Sequence, residues 1–545
     1  MLSGWVGDIA SSEIKFSRAM QLLCNYSLAE QMQKTGSYAT HPVVHQWAHY
    51  SQGKCFATEL SRLAVVAVGW AVPASSTRDY AALQRRLLLH AQACSRQVVE
   101  RNAVWDRGAG DGSDGDVDEG EERETVLYAV HMLGALYADQ GRLGEAEQMY
   151  ERALRGYEAL GLDHESLDVF NNLGALYADQ GRLGEAEKMY ERALRGFEEA
   201  LGVGHSSTLD TVNNLGNLYK DQGKLDEAEK MYERALRGKE EALGVGHTST
   251  LNTVNNLGIL YVDQGKLGEA EQMYQRALRG KEEALGVGHT STLDTVNNLG
   301  ILYVDQGKLG EAEQMYQRAL RGKEEALGVG HTSTLNTVNN LGNLYKDQGK
   351  LDEAEKMYER ALRGKEEALG VGHSSTLDTV NNLGVLYADK GRLGEAEKMY
   401  ERALRGKEEA LGVGHSSTLQ TVNNLGGLYY SQGRLGEAEQ MYERALRGYE
   451  ALGDVRVQQY LPALNTLQNM GDLYAKRAES AKARTMYTRA LSGLSSVLGV
   501  SSERCMGLAA KIDALPSPSG EREGHSNLPA ASNNLHRASA KRKRV

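Results

Sequence analysis

The pair Leu-Gly returns at Leu133, Leu173, Leu215, Leu257, Leu299, Leu341, Leu383 and Leu425, first after 40 residues and then six times after 42. Met470-Gly471 adds a degenerate ninth copy 45 residues further on. A period of this length marks a stacked array, because one such unit cannot bury its own apolar surface. The copies are close to identical. Residues 253–294 and 295–336 differ only at Asp294 versus Asn336, and 211–252 differs from 337–378 only at Thr248/Ser374 and Asn252/Asp378. Copies that match this well three units apart imply duplication of blocks.

The unit 211–252 shows what each copy encodes. Val212, Leu215, Leu218 and Tyr219 fall on one face of a helix, which Gly223 ends. Leu225, Ala228, Met231, Tyr232, Ala235 and Leu236 form a second helical stripe, ending at Leu243-Gly244, where the glycine serves as a C-terminal cap. The hydroxyls of Thr248, Ser249 and Thr250 are candidates to cap the next helix. One unit is therefore predicted to be two antiparallel helices and two short turns, and the chain an all-α solenoid.

Leu215-Gly216, Tyr219, Ala228, Tyr232 and Ala235 resemble the tetratricopeptide (TPR) signature residue for residue, and the constellation holds from Leu133, Gly134, Tyr137, Ala146, Tyr150 and Ala153 in the first copy to Met470, Gly471, Tyr474, Ala483, Tyr487 and Ala490 in the last. In that family Gly and Ala let the paired helices approach and the tyrosines fill the gaps. The 42-residue length, the Asn-Asn-Leu-Gly opening and the Leu-Gly-x-Gly-His-x-x-Thr-Leu linker are similar to the kinesin-light-chain type of repeat. That type usually has Pro after the His, where Ser or Thr stands here. The resemblance implies a right-handed superhelix that binds a protein or an extended peptide along a concave groove lined by the first helix of each pair.

Removing the buried face of that first helix leaves Asp210, Asn213, Asn217 and Lys220 as a second stripe. Asn213 recurs as Asn255, Asn297, Asn339, Asn381 and Asn423, a ladder of amide donors and acceptors for a peptide backbone. The next column reads Ala135, Ala175, Asn217, Ile259, Ile301, Asn343, Val385, Gly427, and the third Ala138, Ala178, Lys220, Val262, Val304, Lys346, Ala388, Tyr430. Elsewhere the copies change mildly, as in Lys230/Gln272 and Glu233/Gln275; here Lys becomes Val and Asn becomes Ile. Neutral drift at exposed positions is the plain alternative, but the change of chemistry favours a tuned surface. An apolar pocket of Ile259, Val262, Ile301 and Val304 is expected mid-groove, flanked by Lys220 and Lys346, to take one apolar ligand side chain worth roughly 1.5–3 kcal/mol.

No catalytic, cofactor or metal site is expected. His205, His247, His289, His331, His373 and His415 recur once per unit. Two ligands of one zinc lie within roughly 3.5 Å of each other, whereas stacked helices are about 10 Å apart, so these histidines read as linker caps. His41, His45 and His49, with Cys55 near, have no acid to complete a site and read as structural. Gly-Lys recurs, as in Gly223-Lys224 and Gly238-Lys239, without the spaced glycine or the Ser/Thr of a phosphate-binding loop, and no GxSxG, HExxH or dinucleotide fingerprint appears. Glu and Lys along the second helices, as at Glu227, Glu229 and Lys230, read as solvated faces.

The ends are of other kinds. Cys24-Asn-Tyr-Ser-Leu and the segment from Gly36 to Trp47 resemble the end of the winged-helix module that follows the NB-ARC switch domain in fungal NLR-like (STAND) proteins. Residues 80–94, with Leu87-Leu-Leu-His90 and Cys94, resemble the helical segment after it. Such proteins commonly finish in this repeat type and are associated with non-self recognition and programmed cell death. The nucleotide-binding domain itself is missing, so the chain is expected to be the sensor half, whether stand-alone or truncated, without ATP-driven switching of its own. The expected division is a helical segment over 1–105, a flexible acidic linker over 106–124, nine repeats over 125–500 and a disordered tail over 501–545.

Charge and cysteines bound the partners. Lys+Arg of 62 against Asp+Glu of 73 leaves a net charge of −11, which disfavours nucleic acid and suits basic proteins. Cys24, Cys55, Cys94 and Cys505 are scattered without a CxxC pair, as in a reducing compartment. No secretory signal is evident, and the most apolar stretch, Leu63 to Val72, is half of the ~20 residues a span requires. A soluble cytoplasmic monomer without a small-molecule substrate is expected; Lys541 to Arg544 could act in nuclear import. The leading expectation is a non-catalytic scaffold, the ligand-sensing arm of an NLR-like protein. The alternative is a kinesin-light-chain-like cargo adaptor, which should carry a heptad coiled coil before its repeats, and residues 1–124 show none.

Overall fold

Glycine sets the turns, and the turns set the array. In the computed structural model, Gly223 ends a first helix in the left-handed region at φ 75°, with Lys224 N–H donating to the Tyr219 carbonyl at 2.8 Å and Gly223 N–H to that of Lys220 at 2.9 Å. This double bond ties off the last carbonyls of the helix. The second helix ends on Gly244, whose φ of 92° and ψ of 159° suit only glycine.

The structure describes residues 117–451, 460–500 and 502–516, with Ala29–Gln31, Tyr38–Thr40 and scattered positions between 65 and 92. Nine helix pairs follow one another among them: Val117–Asp139 with Leu143–Leu160, Asp163–Asp179 with Leu183–Leu201, Ser206–Asp221 with Leu225–Leu243, Thr248–Asp263 with Leu267–Leu285, Thr290–Asp305 with Leu309–Leu327, Thr332–Asp347 with Leu351–Leu369, Ser374–Asp389 with Leu393–Leu411, Ser416–Ser431 with Leu435–Ala451, and Leu461–Lys476 with Ser480–Leu498. We number these repeats 1 to 9. The chain is an all-α solenoid, as its period requires. Ala29–Gln31 and Tyr38–Thr40 form a short antiparallel strand pair outside it.

Within a repeat the helices touch through the small residues. A Cβ on Gly216 would lie 2.7 Å from the Tyr232 ring, so glycine is what lets that wholly buried tyrosine seat between the helices. Ala228 and Ala235 are fully buried beside it. Between repeats, polar side chains tie the second helix of one repeat to the first-helix end and the second helix of the next. Gln264 Nε2 donates to Glu229 at 2.9 Å, and Arg276 pairs with Glu240 of the preceding repeat, as Arg318 does with Glu282. These second-helix faces are thus partly knitted together rather than simply solvated.

The linkers are capped from the histidine. His247 stands at the N-cap in an extended conformation, and its Nδ1 accepts from Ser249 N–H at 3.2 Å. The hydroxyl of Thr250 does something else: it donates back to the Gly244 carbonyl at 2.9 Å and satisfies the end of the previous helix. Linker hydroxyls therefore close the helix behind them, and the ring closes the one ahead.

Two boundaries differ from the sequence reading. The first helix begins at Val117, inside the acidic stretch predicted as linker. Beyond repeat 9, Glu503–Asp513 forms a further helix, capped by Ser502 and seated through Cys505 and Leu508, each 2% exposed. Residues 503–513, predicted as part of the tail, are helical because Cys505, Leu508 and Ile512 make an apolar stripe that covers the last repeat. His41, His45, His49, Cys55, the segment from Gly36 to Trp47 apart from Tyr38–Thr40, and Lys541 to Arg544 lie outside the described residues.

Candidate functional site

In the asparagine column one end of each amide is already engaged. Asn256 Nδ2 donates to Asn213 Oδ1 at 3.3 Å, and the same bond joins Asn298 to Asn255, Asn340 to Asn297, Asn382 to Asn339, Asn424 to Asn381 and Asn469 to Asn423. The second Asn of each Asn-Asn pair, and Asn469 after Gln468 in repeat 9, thus holds the first Asn of the repeat before it. The predicted acceptors are structural, while the side-chain N–H groups of the first asparagines have no hydrogen-bond partner among the described residues. The ladder presents donors.

The next column is coupled to the buried tyrosine of its own repeat. Tyr232 donates its phenol proton to Asn217 Oδ1 at 2.6 Å, and Tyr358 to Asn343 at 2.5 Å. Where Ile259, Ile301 or Val385 replaces the asparagine, Tyr274, Tyr316 and Tyr400 find no hydrogen-bond partner among the described residues, although each is at most 3% exposed. Burial pushes these phenols up, and the flanking Asp263 and Asp305 push Tyr274 further the same way. They stay protonated donors.

The predicted mid-groove pocket is divided. Ile259 and Val262 pack against Ala270, Tyr274, Leu299 and Leu302, whereas Val304 packs against Ala312, Tyr316, Leu341 and Leu344 in the next repeat interface. Ile301 stands 40% exposed. Lys220 and Lys346 flank this stretch and pair with their own neighbours, Asp221 at 2.8 Å and Asp347 at 3.3 Å. Burial pulls the Lys220 ammonium down, but Asp221, Asp263 and Tyr460 outweigh it and hold its pKa above the ordinary value. Tyr430 lies under Lys476 of the following repeat, at 4.3 Å from ring centre to Nζ. Asp210 is engaged elsewhere: its carboxylate receives the buried Lys239 at 2.7 Å, so it serves the repeat interior before any ligand.

Sequence reasoning missed a carboxylate column. Asp139, Asp179, Asp221, Asp263, Asp305, Asp347 and Asp389 end the first helices of repeats 1 to 7. Burial, then Asp221 and Asp139, push the Asp179 carboxyl up to about 6. Asp305 is raised by burial and Asp347. The recurring Tyr-x-Asp at these helix ends was the available signal. Asp179, Asp221, Asp263 and Lys220 line a cavity of about 620 Å³ together with His373, His415 and Tyr460. Of the third column, Ala138, Ala178 and Lys220 line it. Among the described residues, no three His, Cys, Asp or Glu side chains converge as a metal site, and no helix is long and apolar enough to cross a membrane.

The tetratricopeptide repeat family model matches residues 124–199, 207–283, 249–325, 291–367 and 375–451, more than half of the chain. The chain belongs to the tetratricopeptide repeat family. A second model of the same description matches this TPR chain over residues 339–410. Among solved structures, the TPR array is similar to BtubC (BKLC) from P. vanneervenii, at 23% identity over 50% of this chain and 98% of that one, with a TM-score of 0.33. It is also similar to a putative kinesin light chain from Podosopora anserina with nearly identical TPR-like repeats, at 22% identity over 37% and 97% of the two chains, TM-score 0.32. A STAND protein with a TPR sensor, PH0952 from Pyrococcus horikoshii, is similar at 13% identity over 82% of this chain and 63% of that one, TM-score 0.40. No curated protein matches.

Proposed function

We propose that this TPR solenoid is a non-catalytic scaffold that takes an extended peptide, or a peptide-like segment of a partner protein, along the first-helix face. The observation that carries this reading is the pairing of unengaged donors. In repeats 4 and 5 the amide N–H groups of Asn255 and Asn297 and the phenols of Tyr274 and Tyr316 all lack an acceptor among the described residues. Main-chain carbonyls of an extended ligand are suitable acceptors. Ile259, Val262, Ile301 and Val304 add apolar surface to the same two repeats, for an apolar ligand side chain. Asn217 and Asn343 satisfy the equivalent phenols internally on either side and so bound the stretch of repeats 4 and 5, while Tyr150, Tyr190, Tyr400 and Tyr442 of repeats 1, 2, 7 and 8 are likewise without an acceptor among the described residues.

The finer placing, as the ligand-sensing arm of an NLR-like protein, rests on the sequence resemblance of residues 24–47 and 80–94. Co-purification of a kinesin heavy chain with the full protein would replace that placing with the cargo-adaptor one. The groove itself is tested by selecting peptides from a displayed random library on the full chain. Selected peptides should lose at least about tenfold in affinity on Ile259→Asp with Ile301→Asp, given the burial energy of one aliphatic side chain. Unchanged affinity for every selected peptide would remove the groove assignment.

A further inference from the structure

A solenoid repeat normally touches only its neighbours, and its pitch is the sum of small rotations between them. Here distant repeats meet. A Cβ placed on Gly141, in the turn of repeat 1, would lie 2.8 Å from the His373 ring in the linker before repeat 7. One repeat on, Gly181 stands in the same relation to His415, at 2.9 Å. The His373 ring also hydrogen-bonds the Asp139 backbone.

Nearly identical linkers act as internal controls. His205, His247 and His289 cap their helices in the open, while His373 and His415, with the same cap bond, are half-buried. Ala242, Ala284 and Ala326 are exposed, whereas the equivalent Ala368 is 3% exposed. Leu411 packs against the core of repeats 1 to 3. The difference comes from the second superhelical turn lying on the first, since the local sequence is the same.

We infer that the free solenoid is latched: His373 and His415 seat the linkers of repeats 7 and 8 on the turns of repeats 1 and 2, and this seam has to part before a folded partner fully enters the cavity that it borders. Each ring does two jobs. Its Nδ1 caps its own helix, accepting from Ser375 and Ser417 N–H at 3.1 Å, and its opposite edge, Cδ2 and Nε2, meets the glycine turn. The glycines are needed twice as well, for a φ of 70° and 74° and for the absence of a side chain under the ring. The inference does not depend on the ligand of the groove.

Two pairs of variants test it, each with a matched control. His373→Ser with His415→Ser keeps a good cap and removes the ring edge; His247→Ser with His289→Ser makes the same change where no seam exists. Gly141→Asn with Gly181→Asn keeps a residue that tolerates the left-handed turn and pushes a side chain into the seam. Gly223→Asn with Gly265→Asn repeats this at φ 75° and 73°, where a Cβ meets nothing within 4 Å. Small-angle scattering of the full chain should show a larger radius of gyration and maximum dimension for both seam variants, and wild-type values for both controls. Seam variants that scatter like wild type, with helical circular dichroism intact, would overturn the latch. The glycine pair leaves every cap untouched, so it decides the matter should the histidine pair misfold.

Discussion

Lys239, 2% exposed, reaches Asp210 at 2.7 Å from the end of one helix to the start of its partner, forming a buried-to-surface ion pair inside repeat 3. Lys323 with Asp294 and Lys407 with Asp378 repeat it at the same distance. In repeats 4 and 6 the acid is replaced by Asn252 and Asn336, and the equally buried Lys281 and Lys365 keep only neutral partners such as Thr295 Oγ1 and the Ser375 carbonyl. Burial then pulls both ammonium groups down to about 8, against the opposing pull of Asp294 and Asp378.

Asn252→Asp and Asn336→Asp should therefore stabilise the chain at pH 7, each by on the order of 2 kcal/mol, since an uncompensated buried charge gains its partner. The sign with pH is fixed by the depression of the lysines. From about 8 to the ordinary 10.5 the unfolded state holds more protons, so stability from Lys281 and Lys365 rises as pH climbs through that window, and the penalty is complete below it. Urea melts of the wild type and the double variant should converge as pH rises from about 8 to 10.5.

Removing a phenol should matter only where the repeat supplies its acceptor. Tyr232→Phe and Tyr358→Phe break bonds to Asn217 and Asn343 and should each lower stability by about 1 kcal/mol. Tyr274→Phe and Tyr316→Phe break none and should be close to neutral, while weakening selected peptides. Ile259→Asn should recover a Tyr274 bond and raise the melting midpoint. Equal losses in all four phenylalanine variants would contradict the division of repeats.

Asp179 should titrate near 6 in the folded chain, read from its side-chain carboxyl carbon by NMR. Because burial, Asp221 and Asp139 raise it, the folded state holds the extra proton between about 4 and 6, and stability from this group falls as pH rises through that interval. Asp221→Asn removes one repelling charge and should move the midpoint down toward the ordinary value. A midpoint unmoved by that substitution would mean the carboxylates of repeats 2 and 3 do not sense each other.

Leu508→Ala should cost about 2–3 kcal/mol, the usual result of emptying a packed site, although it lies in a stretch that reads as tail. Leu508 and Cys505 cover the last repeat, whose Leu494 is fully buried beside them. Hydrogen exchange should show the loss concentrated in Leu461–Lys476 and Ser480–Leu498, with repeats 1 to 4 unchanged, because stability in such arrays is passed between neighbours.

The helix pairs were legible because their signals are local: a 3.6-residue stripe, a glycine, and a second stripe, written eight times, and a ninth time with Ala478 in the place of the glycine. The Leu-Gly and Ala-Tyr framework likewise announces which residues meet, since Gly216 and Tyr232 face each other within one hairpin. The buried lysines were not legible, as Arg-Gly-Lys-Glu-Glu reads like a solvated helix end until the Asp/Asn alternation at 210, 252, 294, 336 and 378 is set beside it. The engagement of Asn213 by Asn256 was hidden for another reason: an amide has two ends, and a column of asparagines does not say which end is in use. The seam was beyond any local signal. It arises only when the rotations of several repeats have accumulated, and the histidines that make it have the same text as those that do not.

The matching of Gly141 with His373 and of Gly181 with His415 advances by one repeat on each side, as the thread of a screw meets the thread below it. Because the linkers carry nearly the same words, a gene that gained or lost one internal unit would offer the turn of repeat 1 an equivalent histidine, shifted by one copy. Length could then drift through unequal recombination while the pitch stayed the same. Such a chain can change how many side chains it shows to a ligand without having to reinvent the way it coils.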